Sequence, residues 1–374
     1  MRLEPAPPAK VLADVRAVFE AAGGSFVTTA VAEPLSLYLD LAGEALRERL
    51  FLVQSADREE YCLRPDFTLG TALAHIAAGA AAGRYIYEGP AFRVAPPGSE
   101  RPEQFLQIGL ETFEAGDAPV ADAAIASLAW RAARAGGRDD LSLIVGDVSL
   151  FSVFLKSQGV AEIVAAQLSA AFSRPWRLAR ALDAATQGGR EPTAGALASL
   201  LKAVDESQAA SALEEVWTLA GIEPVGGRSA VEIVRRLTSR EADSKAPRLR
   251  PGQRAMIDRY LAIDEEPLTA LTAVSALAPD DKPLNAALVA WRRRIAALDD
   301  VPAERIRFST AFARGFGYYD GFLFEVRSKA LGEDQPVGAG GRYDSLPGRL
   351  GTPLSTGAVG CMVRPGRAWH GGPA

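Results

Sequence analysis

Strand-like sequence occupies the two ends of this 374-residue chain and is missing from its middle. Residues 85–94, 104–113 and 141–147 carry the alternation or continuous apolar run of strands. The pattern resumes at Ile306, with 308–312 and 318–327 extended, and 355–363 closes as a last strand. Between Phe151 and about Leu298, alanine, leucine and charged residues recur at helical spacing instead, as in 161–172, 195–204 and 211–220. Neither end has enough strands to close a sheet alone. The expected fold is therefore α+β, an antiparallel sheet flanked by helices and built from residues 1–150 and 301–374. Residues 151–300 form a helical insertion of ordinary domain size. Gly338-Ala339-Gly340-Gly341 reads as a flexible loop.

Residues 61–113 organise the rest. Pro65 bars the opening run from a helix interior, an Ala-rich helix is expected over about 69–82, and the turn-rich 95–102 separates the two strands. Side chains alternate between faces along a strand. In the second strand Leu106, Ile108 and Leu110 take one face, and Phe105, Gln107, Gly109, Glu111 and Phe113 take the other. Tyr87, Gly89, Ala91 and Arg93 share a face of the first. The result is a floor of small residues carrying a few polar heads. By alternation alone it is equally a half-solvated hairpin.

Composition excludes several classes. No segment approaches the ~20 consecutive apolar residues of a membrane span, and the Pro-rich N-terminus is unlike a secretory leader. Cys62 and Cys361 are the only cysteines, and His75 and His370 the only histidines. Neither a disulfide framework, a metal site nor a histidine-based triad is expected, and the cytoplasm is the expected compartment. A net charge of -5 argues against general nucleic-acid binding. The basic run Trp291-Arg292-Arg293-Arg294 reads as a solvated helix face or a partner contact.

Five motifs in order carry a family resemblance. Leu63-Arg64-Pro65-Asp66-Phe67-Thr68 resembles the Leu-Arg-Pro-Glu-x-Thr signature of class II histidyl-tRNA synthetases. Gly89-Pro90-Ala91-Phe92-Arg93 is similar to their Gly-Pro-x-Phe-Arg, and Gln104 to Glu111 to their Gln-Phe-x-Gln-x-Gly-x-Glu. Arg314-Gly315-Phe316-Gly317-Tyr318-Tyr319 resembles the histidine-specific Arg-Gly-Leu-Asp-Tyr-Tyr, and Gly340 to Leu346 the second histidine signature. Pro34 sits where the family has its dimer-making motif. The resemblance implies a synthetase-like sheet holding a free amino acid. Such a pocket needs acceptors for an ammonium and a donor for a carboxylate. Asp66 and Glu111 can supply the anionic acceptors, with Thr68 and Gln107 as neutral partners. Arg314 or Arg93 can meet the carboxylate, and Tyr318 and Tyr319 offer walls with polar tips suited to an imidazole.

The departures select a branch. The family's closing arginine, which clamps ATP opposite Arg93, is replaced by Val363, and Arg364 comes one residue late and is expected to point elsewhere. Gly317 replaces an aspartate, and ending at Ala374 leaves no room for an anticodon-binding domain. This combination resembles the regulatory subunits of ATP phosphoribosyltransferase. It implies a non-catalytic chain without a cofactor, dimeric within a hetero-octamer with a short-form catalytic subunit. It also implies free histidine as the inhibiting effector. The other reading is a truncated synthetase paralogue that activates an amino acid for a non-tRNA acceptor.

Overall fold

The computed structural model describes residues 1–42, 44–54, 59–187, 205–220, 230–231, 234, 247–314, 317–352 and 357–371. The described residues fall into two compact units, one of Met1–Ser157 with Arg259–Ala374 and one of Gln158–Asp258.

The first unit is built on strands β1 (Ser25–Phe26), β2 (Ala32–Pro34), β3 (Leu52–Gln54), β4 (Glu60–Leu63), β5 (Gly83–Phe92) and β6 (Gln104–Phe113). It continues with β7 (Leu141–Asp147), β8 (Asp264–Glu265), β9 (Ile306–Ser309), β10 (Phe322–Ser328), β11 (Gly338–Arg342) and β12 (Ala358–Val363). Nine of them form one sheet in the order β1-β5-β6-β12-β11-β10-β7-β9-β8, and β2-β4-β3 form a small second sheet. The large sheet is antiparallel except where β1 meets β5 and β7 meets β9. Three strands from the C-terminal part thus lie between β6 and β7 of the N-terminal part.

Helix α1 (Ala9–Ala21) buries Val15 and Phe19, and Gly23, at φ 78°, turns the chain out of it. Helix α2 (Leu35–Ala42) follows Pro34, and α3 (Thr68–Ala77) follows the Pro65 turn. Helix α4 (Ala118–Ala135) lies against the sheet and is capped by Asp117, whose carboxylate accepts the amide of Val120.

Three sequence expectations need correction. The Gly338–Gly341 loop is instead a fully buried strand, β11. Its glycines answer to crowding, because a Cβ on Gly340 would collide with the Gly360 carbonyl and lie 2.7 Å from the Phe324 ring. The basic run is only half solvated. Arg292 and Arg293 are exposed on the helix Lys282–Ala296, but Trp291 is buried and donates its indole N–H to Asp147 at 2.9 Å. Arg294 is buried too, and bonds Asp122 at 2.7 Å, a carboxylate shared with Arg342. Finally, the second unit is shorter than 151–300. The helices Pro267–Leu277 and Lys282–Ala296 carry an apolar face that packs within the sheet-bearing unit.

In the second unit the helices Glu162–Ala171 and Pro175–Gln187 pack on each other through buried residues that include Val164, Leu168, Leu178 and Leu182. The Gln253 amide donates to the carbonyls of Gln158 and Gly159 at 3.0 and 2.9 Å. The helix expected over 211–220 is present as Glu206–Ala220. The one expected over 195–204 lies outside the described residues.

Candidate functional site

The site is assembled on the floor made by β5 and β6. Their register sets Tyr85 beside Glu111, Tyr87 beside Gly109, Gly89 beside Gln107 and Ala91 beside Phe105. Small residues opposite large polar ones leave the polar heads uncovered from above. The turn at Pro65 then brings Asp66 and Thr68, at the start of α3, over that floor. The guanidinium of Arg64 braces the turn by donating to the carbonyls of Pro90 and Thr29, each at 2.9 Å.

Glu111 is the centre of the arrangement. Its carboxylate accepts the Thr68 hydroxyl at 2.7 Å, the Tyr87 hydroxyl at 3.4 Å, and a short bond from Tyr343. Burial nevertheless pushes its pKa up to about 8, against those hydroxyls, and nearby Asp66 adds to the rise. Gly360 on β12 makes room for it, since a Cβ there would overlap Glu111 Oε2. Asp66 accepts the Tyr318 hydroxyl at 2.9 Å, while its Oδ1 has no hydrogen-bond partner among the described residues. Burial raises the pKa of Asp66 as well, and Arg93 opposes the rise.

The tyrosines form the wall. The rings of Tyr318 and Tyr319 are 4.6 Å apart, and Tyr343 stands edge-on to Tyr318 at 6.0 Å. Tyr318 and Tyr343 belong to one core cluster with Leu35, Tyr38, Leu69 and Phe113, so packing fixes their orientation. Seven of the expected residues therefore line one pocket: Asp66, Thr68, Arg93, Glu111, Arg314, Tyr318 and Tyr319. The pocket is narrow, with about 10 Å³ of space for a water-sized molecule, close to one water. Gln107 is not on its lining. That side chain is fully buried in the floor, and neither amide atom has a hydrogen-bond partner among the described residues.

The arginines are tethered. Arg93 donates Nε to the Pro65 carbonyl at 2.8 Å, and Arg314 donates to Glu325 at 2.7 Å. Arg364 corrects the sequence reading. It follows the end of β12 at Val363, where the chain turns back, so that its guanidinium lies over Phe105, a residue of the same floor. Tyr87 and Tyr343 were missing from the expected site. The sequence held a signal for both, because Tyr87 alternates with Gly89 on the floor and Tyr343 stands in the Gly-Gly-Arg-Tyr-Asp signature.

No group of histidine, cysteine and carboxylate side chains suited to a metal occurs among the described residues, and no described helix is long and apolar enough to cross a membrane. The histidyl-tRNA synthetase family model matches residues 6–243 and 220–364. Among solved structures, an ATP phosphoribosyltransferase regulatory subunit/histidyl-tRNA synthetase from Bacillus halodurans is similar at TM-score 0.63 and 17% identity, covering 97% of this chain and 78% of that one. A histidine–tRNA ligase subunit from Alicyclobacillus acidocaldarius is similar at TM-score 0.56 and 20% identity, covering 98% and 94%. The fold is that of the histidyl-type class II synthetases. An ATP phosphoribosyltransferase regulatory subunit from Brucella anthropi is 32% identical over 362 residues, 94% of each chain, and one from Brucella canis is 33% identical over 355 residues, 93% of each. The chain belongs to the ATP phosphoribosyltransferase regulatory subunits, a histidyl-tRNA synthetase-like family.

Proposed function

We propose that this chain is the non-catalytic regulatory subunit of ATP phosphoribosyltransferase in histidine biosynthesis, and that free histidine is its ligand. The observation that carries the reading is the convergence of Asp66, Thr68, Arg93, Glu111, Arg314, Tyr318 and Tyr319 on one buried pocket. Two carboxylates with hydroxyl partners suit an ammonium and an imidazole, two arginines suit a carboxylate, and burial strengthens each contact. Histidine bound there restrains a short-form catalytic partner, in a cytoplasmic assembly built on a dimer of this chain. The partner is a glycosyltransferase by the reaction in its name. The test is reconstitution: the chain is mixed with a short catalytic subunit, and phosphoribosyl transfer is followed with and without histidine. Failure to associate, or an activity indifferent to histidine, rejects the reading.

A second reading has one observation in its favour. Arg364 and Arg93 both lie over Phe105, as two clamps on a nucleotide would. A truncated paralogue that activates an amino acid would catalyse histidine-dependent ATP–pyrophosphate exchange. The regulatory reading expects none.

A further inference from the structure

Tyr343 bonds Glu111 on one face of the large sheet, while its neighbour Arg342 reaches helix α4 on the other. The two are consecutive at the end of β11, where successive side chains point to opposite faces. The Arg342 guanidinium meets Oδ1 of Asp122 with Nε at 2.8 Å and Nη2 at 2.7 Å, and its Nη1 donates to Asp344 at 2.9 Å. The other oxygen of Asp122 accepts Arg294 at 2.7 Å, and the Asp122 side chain is fully buried. Two carboxylates and two guanidiniums thus balance one another behind β11.

The same group holds Tyr343 from both sides in sequence. Arg342 is anchored before it. After it, the Asp344 carboxylate, bonded to Arg342, accepts the amide of Ala358 at 2.7 Å. Asp320, which follows the wall residue Tyr319, accepts the amides of Asp344 and Ser345 at 3.1 and 2.6 Å. Its own amide donates to the Arg342 carbonyl at 3.1 Å. Packing sets the tilt of the Tyr343 ring, but the backbone on either side sets how far its hydroxyl reaches. That reach matters to Glu111, which is surrounded by Asp66 and the hydroxyls of Thr68, Tyr87 and Tyr343. Burial pushes the Glu111 carboxyl up, and Tyr343 is the strongest of the three hydroxyls that oppose the rise.

We infer that Asp122 is a positioning residue of the pocket, acting through Arg342 to hold Tyr343 on Glu111. Asp122 is not on the pocket lining. Its influence passes through a guanidinium fork, which fixes direction as well as distance. The Arg294 arm shares the same carboxylate but leads to the helix Lys282–Ala296 and away from Tyr343. The effect on the pocket should therefore follow the Arg342 arm alone. Its consequence for histidine affinity rests on the pocket reading above, whereas the hold on Glu111 does not.

The test follows Glu111 itself. Carbon-13 labelling of the glutamate carboxyl carbons gives a resonance assigned by its loss in Glu111→Gln, and its pH titration is recorded on the full chain. Asp122→Asn should raise the midpoint by about one pH unit, the worth of about one charge-assisted hydrogen bond. Tyr343→Phe should do the same, and in that background Asp122→Asn should add no further shift, because no hydroxyl is left to position. Arg294→Gln should lower the urea midpoint of the chain without moving the Glu111 titration. If Asp122→Asn does not fold, Arg342→Lys carries the test, since an ammonium keeps the charge and loses the fork. Calorimetry with histidine runs in parallel, with affinity expected to fall roughly tenfold in Asp122→Asn and Arg342→Lys. An unmoved Glu111 midpoint in the folded variant overturns the inference. So does a shift that persists undiminished in the Tyr343→Phe background, or an equal shift in Arg294→Gln, either of which makes Asp122 a structural ion-pair member only. If the unmodified chain does not bind histidine, the pocket reading fails, while the Glu111 titration still decides the role of Asp122.

Discussion

The Arg364 guanidinium lies 3.6 Å from the centre of the Phe105 ring. Arg93 lies over that ring too, at 5.2 Å. Phe105 is therefore a common platform for a cation from the first half of the chain and one that directly follows its last strand. Arg364 can reach it because β12 ends at Val363 and the backbone turns at once into the short helix Pro365–Ala368. An arginine displaced by one residue in sequence is returned to the same face by the turn. Its buried partner Glu4 then holds it there.

Glu111→Gln should weaken histidine binding by ~1.5–3 kcal/mol, roughly ten- to a hundredfold. Assembly with the catalytic subunit should persist, and inhibition by histidine should be lost in parallel, because coupling between sites is reciprocal. Calorimetry on the variant and an inhibition curve on the complex check both. Unchanged binding, or inhibition that survives its loss, contradicts the pocket assignment.

Stability should also report on Glu111. Its folded pKa of about 8 stands above the 4.5 of an unperturbed glutamate, so the native state favours the protonated carboxyl. That contribution is fully present below pH 4.5 and is lost as pH rises through about 8, where the unfolded chain gains by ionising. Glu111→Gln cannot ionise, so its stability relative to the unmodified chain should improve between pH 5 and pH 9. Urea unfolding of both proteins across that range measures the trend, and comparing the two removes the parallel contribution of buried Glu33, which burial pushes up to about 7.

Histidine-dependent ATP–pyrophosphate exchange should be absent from the purified chain. Val363→Arg should not restore it, because Val363 is fully buried in β12 and Gly317 still stands where the related synthetases carry an aspartate. Rapid exchange by either protein would favour the synthetase reading.

Gly360→Ala places a methyl where Glu111 Oε2 now sits. Overpacking of this kind costs about 1–3 kcal/mol. The urea midpoint should fall, and histidine affinity should fall with it, because Glu111 must move. A variant with native stability and native affinity would show that the strands can separate locally.

Much of this was legible before any coordinates. Strands β6 and β7 occupy the expected residues because alternation or an unbroken apolar run is bounded by clear turn signals. The polar heads of the site were legible because they fall in motifs. Strand β11 was not, because glycine in sequence signals freedom, whereas here it is required by the strands on either side. Trp291 and Arg294 were hidden for a related reason. A basic run looks solvated until Asp147 and Asp122, distant in sequence, supply buried partners. The closure of the pocket by tyrosine hydroxyls depends on tertiary packing, which no local pattern encodes.

The strand order has a kinetic consequence. Strands β6 and β7 are made early, yet β12, β11 and β10 must fill the gap between them, and the first of these to be made begins at Phe322. Until the end of the chain arrives, both early strands present open backbone edges to any neighbour. Pairings across such long separations form slowly. Refolding yield should therefore fall with protein concentration, and the nascent chain should be most vulnerable to self-association just before its last strand is complete.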